Sequence, residues 1–583
     1  MLISNETPLI VHDFFNEPTT QFAHQELTSY WSKIFANASS NVSSPLSINF
    51  SRNEHLPFDS YSLHILEDSI TISSPLGRGI LYGVYELLKL IGCTFIFPSP
   101  VHQYIPTLTT FELTPQTITK ISSLEFRGLC LYQVSTHTLT ESINMIDYMG
   151  KNNYNFLLTS INKDDEAVGD FQDIHWQDVG EMLYPELIKR GIVIDMSEHS
   201  TDYFFPREKW FLEHPEWFAL INGSRHPLQI CYSNADAVNE YIKSYCNFVK
   251  THHDFKFIGI WPLDGGGYCE CEQCKDPLTI LKANKKIAHA IGKVRPDLTV
   301  EHLAYTPQSL SCPNDDIPDN LSVLVCSIQD TLAYKWGLKA KNKGGAFYFD
   351  YDTGDHYRYR THVWLNPIAC KDMVNTFMHY HYRGIISLYL PITSWWQSSL
   401  NYYYLSIAYY NPCFDLKTET LKLSNMLFGI LNGTILAEAL LTTITKLQDK
   451  ILWSRFPHKF SHQPEHICHR HISCDALHLE SYKQTYAHIQ QLIKSVNLDL
   501  MTDAQRYQLE LFKSYLELQK LFFECIDQFN FDTDSPDKVT PYFEMLEKLQ
   551  NKYGKVFISP EYAKWRIIGR DNILDPKNTD TLF

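Results

Sequence analysis

At 583 residues, with 44% apolar and 20% charged side chains, the chain is too long for one core and has the composition of a globular protein of two or three domains. Fifty lysines and arginines against 66 aspartates and glutamates give a net charge of −16, which argues against nucleic acid or an anionic membrane surface as a partner. Fourteen cysteines over this length do not make a disulfide scaffold, and the most apolar stretch, Leu421–Leu447, is broken by Asn425, Asn432 and Glu438, so no membrane span is expected.

The opening "MLISNETPLIVHDFFNEP" has no basic start and no apolar h-region, and a cytoplasmic location is the expectation. Residues 1–118 alternate strands and helices and read as a small α/β domain. Within it "DSITISSP" (68–75) is a strand, and "GRGILYGVYELLKLIGC" carries Ile80, Val84, Leu87, Leu88 and Ile91 at helical spacing with Gly92 as the stop. "CTFIFPSP" (93–100) reads as a strand ended by prolines.

Residues 119–410 repeat strand and helix. Candidate strands are 124–131, 154–160, 191–197, 255–262, 298–305, 321–328, 345–351 and 384–391. Eight such units predict a (β/α)8 TIM barrel, with one or two helices missing after the fifth and sixth strands. Residues 411–583 show no strand pattern and read as an α-helical C-terminal domain. There Thr502 and Gln505 form a capping-box signature ahead of a helix with Phe512, Leu516, Phe523 and Ile526 on one face.

In a TIM barrel the chemistry gathers at the C-terminal strand ends. Those ends carry Glu198 and His199 on the third strand, Trp261 and Asp264 on the fourth, and Glu301, His302 and Tyr305 on the fifth. The sixth ends near Gln329 and Asp330, the seventh at Asp350, Tyr351 and Asp352, and the eighth at Trp395 and Trp396 with Asn401 and Tyr402 beyond. Paired carboxylates with aromatic platforms suit glycoside hydrolysis. Asp264, followed by three glycines, is the leading catalytic candidate, with Glu301 or Asp350 as its partner. Glu301 and Leu303 share one face of their strand and His302 and Ala304 the other, and the pattern does not say which faces inward. Glu198, His199, Trp261, His302, Tyr305, Tyr351, Trp395, Trp396 and Asn401 are candidate substrate contacts, with at most one of the adjacent tryptophans serving as a sugar platform.

Cys269, Cys271 and Cys274 form a C-x-C-x-x-C triplet. A structural zinc takes four ligands, and Cys231 in "QICYSN", in the segment leading into the same βα unit, is assigned as the fourth; the alternative is three free thiols in a loop. No cofactor is expected in catalysis itself. The histidine-rich "HKFSHQPEHICHRHISC" (458–474) matches no ligand spacing.

Taken together, "GRGILYGVYELLKLIGCTFIFP" (77–98), "EHSTDYFFPREKWFLEHPEWFALINGSR" (198–225), "ICYSNADAV" (230–238), "WPLDGGGYCECEQC" (261–274) and "EHLAYTP" (301–307) resemble the domain of unknown function 4838 family over residues 65–420. The resemblance implies a glycoside hydrolase-like TIM barrel, preceded by the small α/β domain also found in β-hexosaminidases and α-glucuronidases. It implies an oligosaccharide substrate containing N-acetylhexosamine or uronic acid, and some members are similar to endo-β-N-acetylglucosaminidases of glycoside hydrolase family 163. Two departures stand out. Leu263 replaces the family's usual asparagine before Asp264, and Gly265 stands where hexosaminidases carry the glutamate of an Asp-Glu pair. The second carboxylate therefore has to come from another strand, or the barrel binds carbohydrate without cleaving it. A zinc hydrolase built on the cysteines is disfavoured, because a full thiolate shell leaves no place for water.

Overall fold

Eight short, almost wholly buried strands close into a parallel barrel in the computed structural model: Phe126–Cys130, Phe156–Thr159, Val193–Met196, Phe257–Gly259, Thr299–Ala304, Leu321–Val325, Gly345–Asp350 and Gly384–Leu388, numbered one to eight below. The structure describes residues 2–4, 7–35, 45–131, 139–161, 176–264, 266–326, 330–351, 353, 365–388, 395–447, 476–526, 536–554, 556–557, 560 and 563. Gln329, Asp352 and the segment 458–474 lie outside them. Strands one and eight pair through Ile386 and Gly128, closing the ring.

Side chains alternate between the barrel interior and the surrounding helices. Phe126, Phe156, Phe257 and Phe347 point inward and form an aromatic layer toward the N-terminal end, with ring centroids 5.0–5.7 Å apart. The outer layer includes Leu139–Lys151, Trp176–Ile188, Ala235–Thr251, Thr279–Val294, Asp330–Ala340, Pro367–His379 and Trp395–Ala408. No helix follows strand five, where residues 305–320 run as turns, whereas strand six does have its helix.

The connection after strand three carries a β-hairpin, Phe218–Ile221 with Ser224–Ile230, for which the sequence reading has no element. Its turn is Asn222-Gly223, both at positive φ (51° and 81°), the conformation a two-residue hairpin turn requires.

The N-terminal unit is a five-stranded sheet in the order Leu9–Asp13, Leu46–Arg52, Ser69–Ser74, Tyr61–Ile65, Gln116–Lys120, covered by helices Pro18–Ile34 and Gly77–Ile91. Gly92 ends the second helix in the left-handed region (φ 113°), as its position predicts. Residues 93–100 do not form the expected strand. Pro98 and Pro100 remove two backbone donors, and a single bridge between Thr94 and Tyr104 is the pairing seen there.

This unit is bolted to the barrel by a buried charge cluster. Asp59 accepts from Arg127 Nη2 of strand one (2.6 Å), Arg78 Nε (2.7 Å) and Asn155 Nδ2 (2.7 Å), and the Asp59 and Arg127 side chains are fully buried. Burial pushes the Asp59 carboxyl up, but the two guanidinium charges outweigh it and hold it below the usual carboxylate range.

Beyond the barrel run helices Leu416–Phe428, Ile430–Thr442, Ala476–Lys494, Asp503–Leu521 and Thr540–Tyr553. Thr502 and Gln505 make the expected reciprocal cap. Ile430–Leu447 is apolar enough over 18 residues to cross a membrane by length and composition, but 56% of that window is buried inside the protein, as in a core helix.

Candidate active site

The barrel's alternation decides which strand-end residues can meet a substrate. On strand five, Glu301 and Leu303 face the interior, while His302 faces the helices. On strand three, Asp195 and Ser197 face inward between outward Ile194 and Met196. A Cβ at Gly259 of strand four would stand 2.8 Å from Ser197 Cβ, so glycine there leaves Ser197 its place. Trp261 continues this inner face as part of the interior cluster with Leu303 and Cys326, with Tyr305 and Tyr351 packed against it.

At the mouth, the Asp264 side chain is 63% exposed and lies 3.9 Å from His199 Nε2. His199 Nδ1 lies 2.5 Å from the Pro262 carbonyl. A carbonyl only accepts, so Nδ1 carries a proton and Nε2 is the nitrogen turned to Asp264. The His199 ring meets Trp261 edge-on at 5.4 Å and lies 6.3 Å from Tyr305. Asp264 also acts electrostatically on Tyr268, Tyr351 and Cys326, and Cys326 feels Glu301 as well. Thus the fourth, fifth, sixth and seventh strands converge on one lining.

Below the mouth lies a buried acid pair, Asp195 and Glu301, both with no exposed surface. Burial pushes the Asp195 carboxyl up to about 7, against a hydrogen bond from Ser197. Burial and then the Asp195 charge raise Glu301 well above the usual range, and the Trp261 and Ser197 side chains oppose that rise. Two neighbouring buried carboxyls cannot both ionise cheaply, so the pair retains a proton at neutral pH. Unfolded, both groups lose their protons near pH 4. Folded, they hold them to higher pH, so their contribution to stability is complete below about pH 4 and is lost as the pH rises toward and past 7. Glu301→Gln is therefore expected to flatten the pH dependence. In urea unfolding at pH 5 and pH 8, the wild type loses more stability than the variant, by on the order of a few kcal/mol. Parallel pH profiles would refute the shared-proton assignment.

Several candidates are redirected. Asp350 turns outward: Ser387 Oγ donates to its Oδ2 (2.6 Å) and Thr353 N to its Oδ1 (3.3 Å), beside Cys370 of helix Pro367–His379. It is not a partner for Asp264 across the mouth. His302 binds Asn284 (2.9 Å) and the Ser309 carbonyl (2.9 Å) behind the barrel wall. Trp395 and Trp396 begin a helix rather than ending a strand. Trp396 donates to Gln508 Oε1 (2.9 Å) in the C-terminal helices, and Trp395 stacks on His102 at 5.0 Å. Asn401 is fully buried, donating to the Thr353 carbonyl (3.0 Å) and accepting from Asn366 N (2.8 Å). These four pack against structure, so the sugar-contact role does not fit them.

Glu198, only 4% exposed, remains on the interior side, close enough to Cys130 of strand one that its charge helps push that thiol up after burial has done most of the work. Asp195 and Tyr268 were missed from the sequence. An aspartate inside "GIVIDMS" is the signal for the first, since a carboxylate in an apolar barrel strand needs a reason. The cysteines meet as assigned: Cys231, at the end of the hairpin, lies with Cys269, Cys271 and Cys274, all four sulfurs within 4.8 Å of one another.

A closed barrel of eight parallel strands, with carboxylates, histidine and aromatics at its C-terminal mouth, is the TIM-barrel fold. Residues 97–342 match the family model described as "Domain of unknown function (DUF4838)". No curated protein matches the chain. Among solved structures, a family GH115 4-O-methyl-α-glucuronidase with specificity for decorated arabinogalactans is similar at a TM-score of 0.66 and 10% identity, over 96% of this chain and 80% of that one. A GH138 enzyme targeting pectin rhamnogalacturonan II is similar at 0.55 and 12%, over 99% and 78%. The β-N-acetylhexosaminidase of Bacteroides fragilis NCTC 9343 is similar at 0.50 and 11%, over 73% and 92%. At these identities the likeness is one of fold.

Proposed function

We propose that this protein is a glycoside hydrolase acting on oligosaccharides that contain N-acetylhexosamine or uronic acid. The observation that carries this reading is the mouth itself. An accessible carboxylate, Asp264, faces His199 Nε2 at 3.9 Å over a floor of Trp261, Tyr305 and Tyr351. Aromatic faces take sugar rings, and a carboxyl in that position serves as acid or as the group that polarises the reacting sugar. With Asp350 turned outward, the partner carboxyl is Glu198 or Glu301, both on the interior side. Glu301, its carboxyl raised by burial, suits the acid role, and Glu198, also buried, is the alternative. Glu198→Gln and Glu301→Gln compared on one substrate tell them apart, because the catalytic partner loses turnover and the other loses only stability.

The full burial of Glu301 favours one second reading, glycan binding without cleavage. Both readings meet the same experiment: aryl-glycosides of N-acetylhexosamines and uronic acids, together with defined N-glycan fragments, assayed for released sugar and for binding. Released product supports hydrolysis. Binding without product supports the second reading. Neither product nor binding across the panel removes both.

A further inference from the structure

Among the described residues, four thiols beside the Asp264 loop form a cluster that could hold a metal ion. Cys231 Sγ lies 3.6 Å from Cys269 Sγ and 3.9 Å from the sulfurs of Cys271 and Cys274. Four thiolates at the zinc–sulfur distance of about 2.3 Å form a tetrahedron whose edges are about 3.8 Å. A disulfide would bring two sulfurs to about 2.0 Å. The three distances from Cys231 are those of the tetrahedron's edges, and all four sulfurs, from two separate segments, lie within 4.8 Å of one another.

The surroundings suit a metal–thiolate group. Leu220 N donates to Cys269 Sγ (3.3 Å), and Ser233 Oγ stands 3.2 Å from Cys231 and 3.3 Å from both Cys271 and Cys274. Backbone and hydroxyl donors of this kind stabilise thiolate charge and fix the ligands. Ala219 and the flanks of Leu220 and Ile221 pack around the sulfurs. Four sulfur ligands in tetrahedral array select zinc among the common divalent ions and leave no coordination position for water or substrate.

We propose that Cys231, Cys269, Cys271 and Cys274 hold one structural zinc ion, which staples the β-hairpin after strand three to the loop after strand four that carries Asp264. The same two segments already meet through Gln229, whose amide pairs with the Leu263 backbone (2.7 and 3.1 Å), and through Glu270 N donating to the Leu220 carbonyl (2.8 Å). Asp264 thus stands between a hydrogen-bonded anchor at residue 263 and a metal anchor beginning at residue 269. The zinc fixes that loop independently of what the barrel does to a substrate.

The test is metal analysis of the full chain, purified under reducing conditions without added metal. The expected result is about one zinc per chain, falling to roughly a tenth or less in Cys231→Ser and in Cys269→Ser, and unchanged in Cys413→Ser, whose thiol is exposed and outside the cluster. Where the ligand variants fail to fold, the wild type decides alone. Cobalt(II) added to the zinc-free protein is then expected to give the sulfur-to-metal charge-transfer and tetrahedral ligand-field bands of a tetrathiolate, displaced by zinc. Four free thiols with neither zinc nor a cobalt–thiolate spectrum would overturn the proposal. So would two disulfides among these cysteines, or bound iron in place of zinc.

Discussion

Asp264→Asn is expected to lower glycoside turnover by about 100-fold or more while leaving thermal unfolding unchanged. The side chain is 63% exposed and lies 3.9 Å from His199 Nε2, and an exposed contact of that length contributes little to the fold. Asparagine keeps the volume and removes the proton-transfer capacity. Asp350→Asn is the contrasting control. Its carboxylate is buried among Ser387, Thr353 and the helix layer, so that substitution is expected to act on stability and to leave kcat and KM near wild type. Unchanged turnover in Asp264→Asn on a true substrate would end the catalytic assignment of this residue. Equal loss of turnover in both variants would show that the outward-facing assignment of Asp350 is wrong.

Asp59→Ala is expected to cost about 3–5 kcal/mol in equilibrium unfolding, because it strands a buried guanidinium. Arg127 has no exposed side-chain surface and loses its carboxylate partner, while Arg78 and Asn155 lose theirs. Arg127 keeps hydrogen bonds to Ser122 Oγ (2.8 Å) and to backbone carbonyls, including that of Leu124 (3.0 Å), but these do not neutralise its charge. The pH dependence follows from the same group. Its carboxyl sits below the usual range in the folded state, so its stabilisation is present above the unfolded value near 4 and is lost as pH falls through the folded one. Asp59→Asn is expected to remove that acid-side loss. A cost below about 1 kcal/mol for Asp59→Ala would mean that the cluster contributes no more than an exposed ion pair.

The barrel was legible because its strands are short apolar runs bounded by turn residues and separated by helical periods, and those features are local. The cysteine set was legible for a related reason. C-x-C-x-x-C brings three thiols together within six residues, and a fourth lies in the preceding segment. The strand reading failed at 93–100, where a local apolar run makes only the bridge of Thr94 to Tyr104 and two prolines interrupt it. The hairpin at 218–230 went unread although Asn222-Gly223 marks its turn, since Arg225 and His226 break the alternation expected of a half-buried strand.

By itself, then, the sequence determined the eightfold alternation, the small domain before it, the helices after it, the cap at Thr502 and the company of the four cysteines. Which face of each strand looks into the barrel was decided only by the tertiary structure. Strands in a parallel barrel are buried on both sides, so hydropathy does not alternate and cannot mark the inside. Closure of the ring turned Glu301 inward and His302 outward, sent Asp350 to the helices, and paired Glu301 with an aspartate 106 positions earlier, Asp195. The same closure set Asp264 beside His199 and left its partner to be sought on the interior side, at Glu198 or Glu301.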